Sequence, residues 1–466
     1  MTQERALEIM KTGANVFLTG EPGSGKTHTV NEYVKYLRDR GVEPSITAST
    51  GIAATHLGGQ TIHSWSGIGI KKWLNKYDLD RIATREYIAK RARRAKVLII
   101  DEVSMLASAT LEMVDAVCRE IRQNREPFGG LQVILVGDFF QLPPIFKERL
   151  EENKSDQATL SQEFDEAPPR FCYDSPSWTR SGLAVCYLTE QHRQDDPDFL
   201  SVLSAIRSNS FSEQHFEHVG KRKIEYHHAP QGVPKLFSHN IDVNRVNDEL
   251  LAKLPGPSRV FSMSAKGPEQ LVVALKKGCL SPEQLVLKMG ASVMFTKNNL
   301  QARFVNGTLG VVDGFDKVGG LPIIKTQSGK HIVVEPMEWT VEENGKVRAR
   351  VRQLPLRLAW AITVHKSQGM SMDAAVMDLS QVFEFGQGYV ALSRVRRLSG
   401  LYLLGWNERS FQVHPEVIAR DGHFRNSSGE AESAFAKISP TELTKMHTNF
   451  LRASSSKLGI GGDNLK

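Results

Sequence analysis

Cysteine is scarce in this sequence, and the few cysteines do not cluster. Cys118, Cys172, Cys186 and Cys279 lie far apart and form no C-x-x-C pair. This spacing argues against a zinc site or a disulfide scaffold and fits a reducing compartment. Long apolar runs are also missing, because no stretch approaches the roughly eighteen residues that a membrane-spanning helix needs.

The first twenty residues lack a basic region followed by an apolar stretch. We therefore expect no secretory signal and a cytoplasmic protein, in a bacterium or in the host of a phage. The chain has 466 residues, of which 40% are hydrophobic and 24% charged, so it is globular and too long for one core. Its net charge of +7 suits a polyanionic partner but does not by itself identify one.

The chain shows two kinds of strand pattern. Val16–Thr19, Ser45–Ala48, Val97–Ile100 and Val133–Val136 are short apolar runs with intervening helical patterns, which is typical of a buried parallel sheet. Between about 291 and 355, short alternating segments separated by Gly and Asn turns predict a small antiparallel, barrel-like insertion instead. The stretch 147–170 is predicted to be an extended loop and the end, 454–466, to be disordered.

The segment 20–27 reads G-x-x-x-x-G-K-T and stands between a predicted strand and a predicted helix, the context expected of a P-loop. In such a loop, backbone N–H groups surround the phosphates of ATP. Lys26 is then expected to reach the β- and γ-phosphates and the hydroxyl of Thr27 to hold Mg²⁺. The predicted nucleotide-binding residues of this loop are Gly20, Pro22, Gly23, Ser24, Gly25, Lys26, Thr27 and His28.

Carboxylates and an amide follow the next two apolar runs. Asp101 and Glu102 end one run, where Asp101 is expected to hold Mg²⁺ and Glu102 to activate the attacking water. Gln141, in Gly137–Gln141, ends the other and is predicted to sense the γ-phosphate, a solvated loop glutamine being the alternative.

Six segments stand in a fixed order: GEPGSGKT, ASTGIAA with QTIHSW, DEVSM, GDFFQLPPI, LTEQHRQ, and VHKSQGMS followed by YVALSRVR. This order resembles the petite-integration-frequency (PIF) family of superfamily 1 DNA helicases over about residues 1–406. The neighbouring Dda and RecD-type enzymes share a looser version of it. The resemblance implies an α/β fold with two RecA-like P-loop domains, and an enzyme that hydrolyses ATP with Mg²⁺.

The resemblance also assigns roles to residues around the nucleotide. It implies that Gln3 reads adenine and that Gln368 and Gly369 link the nucleotide to the DNA. Arg193 and Arg394 resemble the two arginines that the second domain directs across the cleft at the γ-phosphate. A guanidinium in that position stabilises transition-state charge and is worth about 10³–10⁵ in rate.

On the DNA side, the resemblance implies that small hydroxyls and backbone amides contact the single-stranded backbone, which positions a strand without reading its sequence. The predicted contacts are Ser49, Thr50, Gly51, Thr61, His63, Trp65, Thr363, His365 and Ser367. Trp65 is the candidate for a duplex-splitting wedge near Ile68–Lys72, with burial in the core as the alternative. His365 has the alternative of a packing histidine, and the basic run Lys90–Lys96 that of a solvated helix face.

The predicted domains are a first RecA-like domain over 1–180 with the wedge insertion at about 66–95, and a second over 181–290 and 356–406. They are interrupted by the SH3-like insertion at 291–355 and followed by a partly disordered extension at 407–466. The expected function is ATP-driven 5′-to-3′ translocation on single-stranded DNA with unwinding of duplexes, and plausibly of G-quadruplexes, by a monomer. A translocase with little unwinding, an RNA-directed helicase and a scaffold with a degenerate ATP site are the alternatives.

Overall fold

The structure is a computed structural model, and it describes the chain with a few gaps. The described residues are 1–56, 59–69, 71–144, 170–192, 196–230, 233–297, 299, 301–302, 304, 308–326, 328–343 and 346–455. The predicted loop at 147–170 lies outside them except for Arg170, and so does most of the predicted disordered end.

The strands, in chain order, are β1 Val16–Gly20, β2 Ser45–Ala48, β3 Gln60–Thr61, β4 Val97–Asp101, β5 Gln132–Val136, β6 Ala184–Leu188, β7 Lys235–Phe237, β8 Arg259–Ser262, β9 Ser264–Lys266, β10 Gln284–Leu287, β11 Ser292–Phe295, β12 Leu309–Phe315, β13 Pro322–Thr326, β14 His331–Val333, β15 Met337–Glu343, β16 Lys346–Gln353, β17 Leu356–Leu358, β18 Ala361–Thr363, β19 Ala375–Leu379 and β20 Leu401–Trp406.

The α-helices, in chain order, are α1 Gln3–Lys11, α2 Lys26–Arg38, α3 Gly51–His56, α4 Ile62–Ser66, α5 Lys76–Ala83, α6 Glu86–Arg94, α7 Ser108–Arg122, α8 Pro176–Arg180, α9 Pro197–Arg207, α10 Glu213–Gly220, α11 Asn240–Lys253, α12 Glu269–Gly278, α13 Val364–Ser367, α14 Gln387–Leu392, α15 Pro415–Ala436 and α16 Pro440–Ser455. Within the described residues, none of these helices is both long and apolar enough to cross a bilayer.

The first domain is built on a parallel sheet with the strand order β3-β2-β4-β5-β1-β6. Its central strands are apolar throughout because helices cover both of their faces. On β1, Val16 and Leu18 join the cluster that packs on α1 and α2, while Phe17 faces the cluster that includes α7. The predicted parallel α/β domain is therefore confirmed.

The predicted boundary at residue 180 is wrong by one strand. β6 pairs in parallel with β1, from Val16↔Ala184 to Gly20↔Leu188, and so forms the edge of the first sheet. A short apolar strand carries no mark of the sheet that it joins, since pairing depends on non-local contacts.

The second parallel sheet has the order β18-β7-β19-β20. Between β7 and β18 the chain forms antiparallel sheets with the orders β14-β13-β12-β11-β17, β15-β16-β9 and β10-β8. The antiparallel insertion therefore begins at β8 and ends at β17, and the predicted limits of 291 and 355 are too narrow. Its SH3-like character stays a prediction.

The C-terminal segment forms two helices that return to the first domain. Ser428 on α15 accepts a hydrogen bond from the backbone N–H of Tyr187, at 3.0 Å, on the outer strand β6. His447 on α16 contacts the carbonyl oxygen of Glu8 at 3.0 Å. The helices 415–436 and 440–455 thus close the first domain, and of the predicted extension 407–466 the structure describes residues 407–455.

Phe424 anchors α15 in an aromatic cluster of the first domain. Its ring centroid lies 5.2 Å from that of Phe17, 5.9 Å from Phe139, 5.8 Å from Tyr173 and 6.2 Å from Trp178. The side chain is buried, so its removal leaves a cavity that these rings cannot easily fill.

We expect Phe424→Ala to lower the free energy of unfolding by about 3–5 kcal/mol. The measurement is chemical denaturation followed by tryptophan fluorescence, since Trp178 belongs to the cluster. The control is Ile241→Ala, whose side chain is exposed and which should change stability by less than about 0.5 kcal/mol. Equal stability of both variants would mean that α15 does not pack on the first domain in solution.

Candidate nucleotide site and nucleic-acid interface

The P-loop is a turn between β1 and α2 that requires glycine at two points. Gly25 has a φ of +87°, and a Cβ added there would lie 2.2 Å from Nε2 of Gln3. Gly20 has a φ of +144°, and its added Cβ would lie 2.6 Å from the carbonyl oxygen of Leu188. Both positions combine a left-handed backbone with close neighbours, so the sequence of the turn follows from its shape.

Polar groups line this turn. Nζ of Lys26 donates hydrogen bonds to the carbonyl oxygens of Gly20, at 2.8 Å, and Glu21, at 3.0 Å. Nε2 of Gln3 donates to the carbonyl oxygen of Ser24 at 3.2 Å, so the side chain predicted to read adenine lies against the P-loop. The hydroxyl oxygen of Ser24 is buried without a protein hydrogen-bond partner.

Asp101 and Glu102 lie at the end of β4, which is adjacent to β5 and one strand away from β1. Glu102 has a φ of +53°, a conformation that a non-glycine residue rarely adopts without a structural reason. Burial raises the pKa of both carboxyl groups, and the neighbouring Glu102 raises the pKa of Asp101 further. Lys26 and Arg394 act in the opposite direction on the pKa of Glu102. The pair therefore favours a nearby cation.

A cavity of about 1020 Å³ opens between the P-loop and the second parallel sheet. Many of the predicted nucleotide-site residues line it: Pro22, Gly23, Gly25, Lys26, Thr27, His28, Glu102, Gln141, Gly369 and Arg394. The cavity thus brings together residues that are up to 372 positions apart in the sequence (394 − 22).

Arg394 enters this cavity from the second domain on a fixed support. Its Nε donates to the carbonyl oxygen of Val390 at 2.8 Å, and its Nη atoms contact Oγ of Ser393 at 2.7 Å and the carbonyl oxygen of Met370 at 3.3 Å. The side chain is almost fully buried. A guanidinium held in this way needs little reorganisation when an anion arrives.

Two contacts connect Glu102 with segments that were predicted to lie at the DNA. Nε2 of Gln368, in the second domain, donates to Oε2 of Glu102 at 3.0 Å across the cleft. The hydroxyl of Ser49 donates to the backbone carbonyl of Glu102 at 2.7 Å. The acid is therefore in contact with one segment of each domain.

Arg193, the other predicted arginine, lies outside the described residues. The two residues before it contact the P-loop. His192 N–H donates to the carbonyl oxygen of Gly23 at 3.0 Å, and Nε2 of Gln191 donates to Oε2 of Glu21 at 2.9 Å.

Sequence reasoning missed several residues of the cavity wall. Arg396, Arg397 and Tyr402 line it on the side of the second domain, and Arg396 forms an ion pair with Asp373 at 3.3 Å. The two arginines had a signal in the sequence, because they directly continue the YVALSR motif. Tyr402 had none, since nothing local distinguishes it from a core aromatic residue.

The predicted DNA contacts with hydroxyl groups serve helix starts. Oγ1 of Thr50, Thr61 and Thr363 accepts a hydrogen bond from the backbone N–H of Ala53, Ser64 and Lys366, respectively. The hydroxyl of Ser367 is buried and donates to the carbonyl oxygen of Val364 at 2.7 Å. These hydroxyl groups stabilise the starts of α3, α4 and α13, and the DNA contacts assigned to them and to Gly51 stay predictions.

His63 and His365 are partly buried, and burial lowers the pKa of each imidazole. Both are therefore neutral near pH 7. The ring of Phe383 is stacked with those of His239, at 4.9 Å between centroids, and His365, at 6.5 Å. Phe383 is exposed and was not singled out from the sequence, because an isolated phenylalanine in a loop carries no motif.

Two further cations lie beside the HKSQG segment. Burial and the neighbouring Arg357 lower the pKa of Lys366 to about 8. Nε of Arg357 is buried without a protein hydrogen-bond partner. Two desolvated positive charges at this point suit a phosphate backbone.

The predicted stacking role of Trp65 is wrong. Its side chain is 2% exposed and packs in the core cluster with Ile62, Ile68 and Ile88, so no base can reach its face. Ile62 and Trp65 lie three residues apart on α4, a spacing that places both side chains on one apolar helix face. The exposed aromatic residues of this region are Trp73 and Tyr77, at 68% and 71% exposure.

Part of the basic run Lys90–Lys96 has a structural role. Arg91 donates to the carbonyl oxygen of Ser64 and to Oε1 of Gln60, and burial lowers its pKa to about 10. Nε of Arg93 donates to the carbonyl oxygen of Ile121 at 3.3 Å. The run therefore fastens α6 to its neighbours, including the loop of Thr61 and His63.

Comparison with known proteins agrees with this geometry. Residues 3–215 match the family described as PIF1-like helicase. The chain is 40% identical to the ATP-dependent DNA helicase Pif1 of Psychrobacter sp., over 98% of this chain and 76% of the relative.

Solved structures give the same result. The Pif1 helicase of Candida albicans matches with a TM-score of 0.77 and 31% identity, covering 90% of this chain and 98% of that one. The Bacteroides Pif1 helicase in complex with ADP-AlF3 and ssDNA matches with a TM-score of 0.66 and 29% identity, covering 92% of this chain and 97% of that one. The chain belongs to the PIF1-like helicase family.

Proposed function

We propose that this ATP-dependent DNA helicase translocates 5′ to 3′ on single-stranded DNA and unwinds duplexes by opening and closing the cleft between its two parallel-sheet domains. The observation that carries the proposal is the cavity in which Lys26, Glu102 and Gln141 of the first domain face Arg394 of the second. Such a cavity is completed only when the domains approach, so its ligand controls their separation.

The P-loop binds the phosphates of ATP, and Lys26 exchanges its carbonyl partners for phosphate oxygens. The donor set fits Mg²⁺, because two adjacent half-buried carboxyl groups with raised pKa values gain most from a divalent cation. Thr27 and Asp101 would hold the ion, which neutralises charge on the β- and γ-phosphates when bound.

Glu102 acts as the general base. Its carboxylate accepts a proton from water as the water oxygen bonds to the γ-phosphorus and the bond to the bridging oxygen of ADP breaks. Gln141 contacts the γ-phosphate with its amide, and Gln3 supports the P-loop and the adenine side of the site.

Arg394 stabilises the charge that develops on the γ-phosphate, and we assign the same role to Arg193. Both gain an anionic partner when ATP binds and lose it after phosphate leaves, which favours a closed and then an open cleft. The hydrogen bond from Gln368 to Glu102 couples the position of the Glu102 carboxylate to the second domain.

The strand lies across both domains at the loops of Ser49–Gly51, Thr61–His63 and Thr363–Ser367. Lys366 and Arg357 supply positive charge there, and Phe383 offers a ring for base stacking. Alternating grips move the protein along the backbone. Separating one base-pair step costs about 1.4 kcal/mol on average, which suits one ATP per step.

Three finer assignments concern the oligomeric state, the cellular location and the DNA substrate. Both domains of one chain contribute residues to the nucleotide cavity, an arrangement that a monomer can supply by itself. The four cysteines are unpaired, which suits the predicted cytoplasmic location. Activity on G-quadruplex DNA follows from the family resemblance alone.

Glu102→Gln should keep ATP and single-strand affinity but lower ATP turnover by about 10²–10⁴-fold, since the amide cannot accept the proton. Steady-state turnover and nucleotide-binding titrations measure the two properties. Glu43→Gln, at an exposed ion pair with Arg38, is the control and should turn over ATP normally. Near-normal turnover by Glu102→Gln would remove Glu102 as the base.

Trp73→Ala and Tyr77→Ala should each slow duplex unwinding about 5- to 100-fold, because base stacking on an aromatic ring is worth about 1–3 kcal/mol. The rates of DNA-stimulated ATP turnover and of translocation on single strands should stay within about twofold of the wild-type rates. The control is Tyr226→Ala, because Tyr226 is exposed and lies outside the predicted wedge insertion at about 66–95. If unwinding is unaffected in both variants, Trp73 and Tyr77 do not form the duplex-splitting wedge.

Polarity is tested by strand displacement on matched duplexes with a 5′ or a 3′ single-stranded tail, with Lys26→Ala as the inactive reference. Unwinding of the 5′-tailed duplex alone is the expected result. Unwinding of the 3′-tailed duplex alone would reject the direction but keep the motor. ATP turnover that single strands stimulate, without unwinding of either duplex, would indicate the translocase, and stimulation by RNA over DNA the RNA-directed enzyme.

A further inference from the structure

Arg207, the last residue of α9, is a buried cation outside the sites described above. Its side chain is 4% exposed, and its guanidinium carbon lies 3.9 Å from the ring centroid of Phe140. Burial alone would lower its pKa, but the surrounding groups, above all Asp138, hold the pKa of Arg207 above its usual value. The protein therefore keeps a full positive charge in its interior, at a cost that only specific partners can offset.

One branch of contacts runs from Arg207 to the first domain's side of the nucleotide cavity. An Nη atom of Arg207 donates to Oδ1 of Asp138 at 2.9 Å. The other carboxylate oxygen of Asp138 accepts a hydrogen bond from Nε2 of Gln141 at 3.2 Å. Gln141 lines the cavity, and the Asp138 that orients its amide is itself held by Arg207 and, at 3.2 Å, by the backbone N–H of Phe140.

A second branch runs from the same Nη atom to the helix that supports Arg394. It lies 3.2 Å from the hydroxyl oxygen of Tyr389, which belongs to α14. The next residue, Val390, is the one whose carbonyl oxygen accepts the hydrogen bond from Nε of Arg394 at 2.8 Å. The contact of Tyr389 with Arg207 is therefore one residue away from the support of Arg394.

A third branch runs from Arg207 to β6 and α15, while its Nε is buried without a protein hydrogen-bond partner. Its other Nη atom donates to the hydroxyl oxygen of Tyr187 at 2.7 Å, and Tyr187 also contacts Asp421 and Arg425 on α15. This third branch connects the guanidinium to the closing C-terminal helix and does not lead to the nucleotide cavity. It thus provides an internal comparison for the bond to Tyr389.

We infer that Arg207 is a positioning residue that fixes the position of Gln141 relative to the support of Arg394. The side chains of Gln141 and Arg394 can then contact the γ-phosphate at the same time. The inference rests on the proposed function, in which Gln141 and Arg394 act on that phosphate from opposite sides. A planar guanidinium can serve Asp138, Tyr389 and Tyr187 at fixed angles, whereas the ammonium of lysine is a point charge on a flexible stem. Any substitution at this position should therefore misalign the two sides even if the charge remains.

The test compares two conservative variants that each remove one hydroxyl from the same guanidinium. Tyr389→Phe breaks the bond toward the support of Arg394, and Tyr187→Phe breaks the bond toward β6. For Tyr389→Phe we expect the kcat of DNA-stimulated ATP turnover to fall about 10-fold, as for a lost hydrogen bond to a charged group, with KM for ATP and single-strand affinity within about twofold. For Tyr187→Phe we expect a lower Tm and an unchanged kcat.

A double-mutant cycle with Arg207→Lys separates positioning from general stability. Arg207→Lys should lower kcat like Tyr389→Phe, and the double variant should be little worse than either, because both changes break one link. Equal loss of kcat in Tyr389→Phe and Tyr187→Phe, or a lower Tm with normal kcat in Tyr389→Phe, would overturn the inference. If Arg207→Lys does not fold, the two tyrosine variants still decide the question.

The wild-type protein distinguishes failure of this inference from failure of the proposed function. Wild type without DNA-stimulated ATP turnover would refute the proposed function itself. Wild type with normal stimulation, together with a normal kcat in Tyr389→Phe, would refute only the role of Arg207.

Discussion

The carboxyl ends of β1, β4 and β5 meet at one edge of the first sheet, and the rest of the active arrangement depends on this constraint. Because the strands are parallel and adjacent, the P-loop, the Asp101–Glu102 pair and the segment of Gln141 must emerge side by side. None of these segments can form the site alone. The sheet needs both faces covered, which α1 and α2 on one side and α7 on the other provide.

The second domain completes the site through few contacts, and each of them is directional. Gln368 reaches Glu102, Arg394 enters the cavity from a hydrogen-bonded support, and Arg207 on α9 contacts Asp138. These polar contacts can be made and broken by small side-chain movements, while one apolar cluster includes residues of both parallel sheets. An interface held in this way is suited to a cleft that opens and closes during each cycle.

The C-terminal helices connect the end of the second domain back to the first domain and pack against it. After β20 leaves the second sheet, the chain returns to the first domain, where α15 covers the outer strand β6 and inserts Phe424 among aromatic rings. The same helix supplies Asp421 and Arg425 beside Tyr187. A segment without a recognisable motif is thus part of the core, which explains why its sequence pattern alone indicated little.

The sequence by itself determined the local features. These are the P-loop, Asp101 and Glu102 at the end of a strand, and the apolar strand patterns of two parallel sheets with an antiparallel insertion. These could be predicted because a phosphate-binding turn or a buried strand imposes its residue types on contiguous positions. Only the tertiary structure decided that Trp65 is core while Trp73 and Tyr77 are exposed, that β6 joins the first sheet, and that Arg207 connects both domains. Burial, strand pairing and buried ion networks depend on residues that are distant in the chain, so no local pattern encodes them.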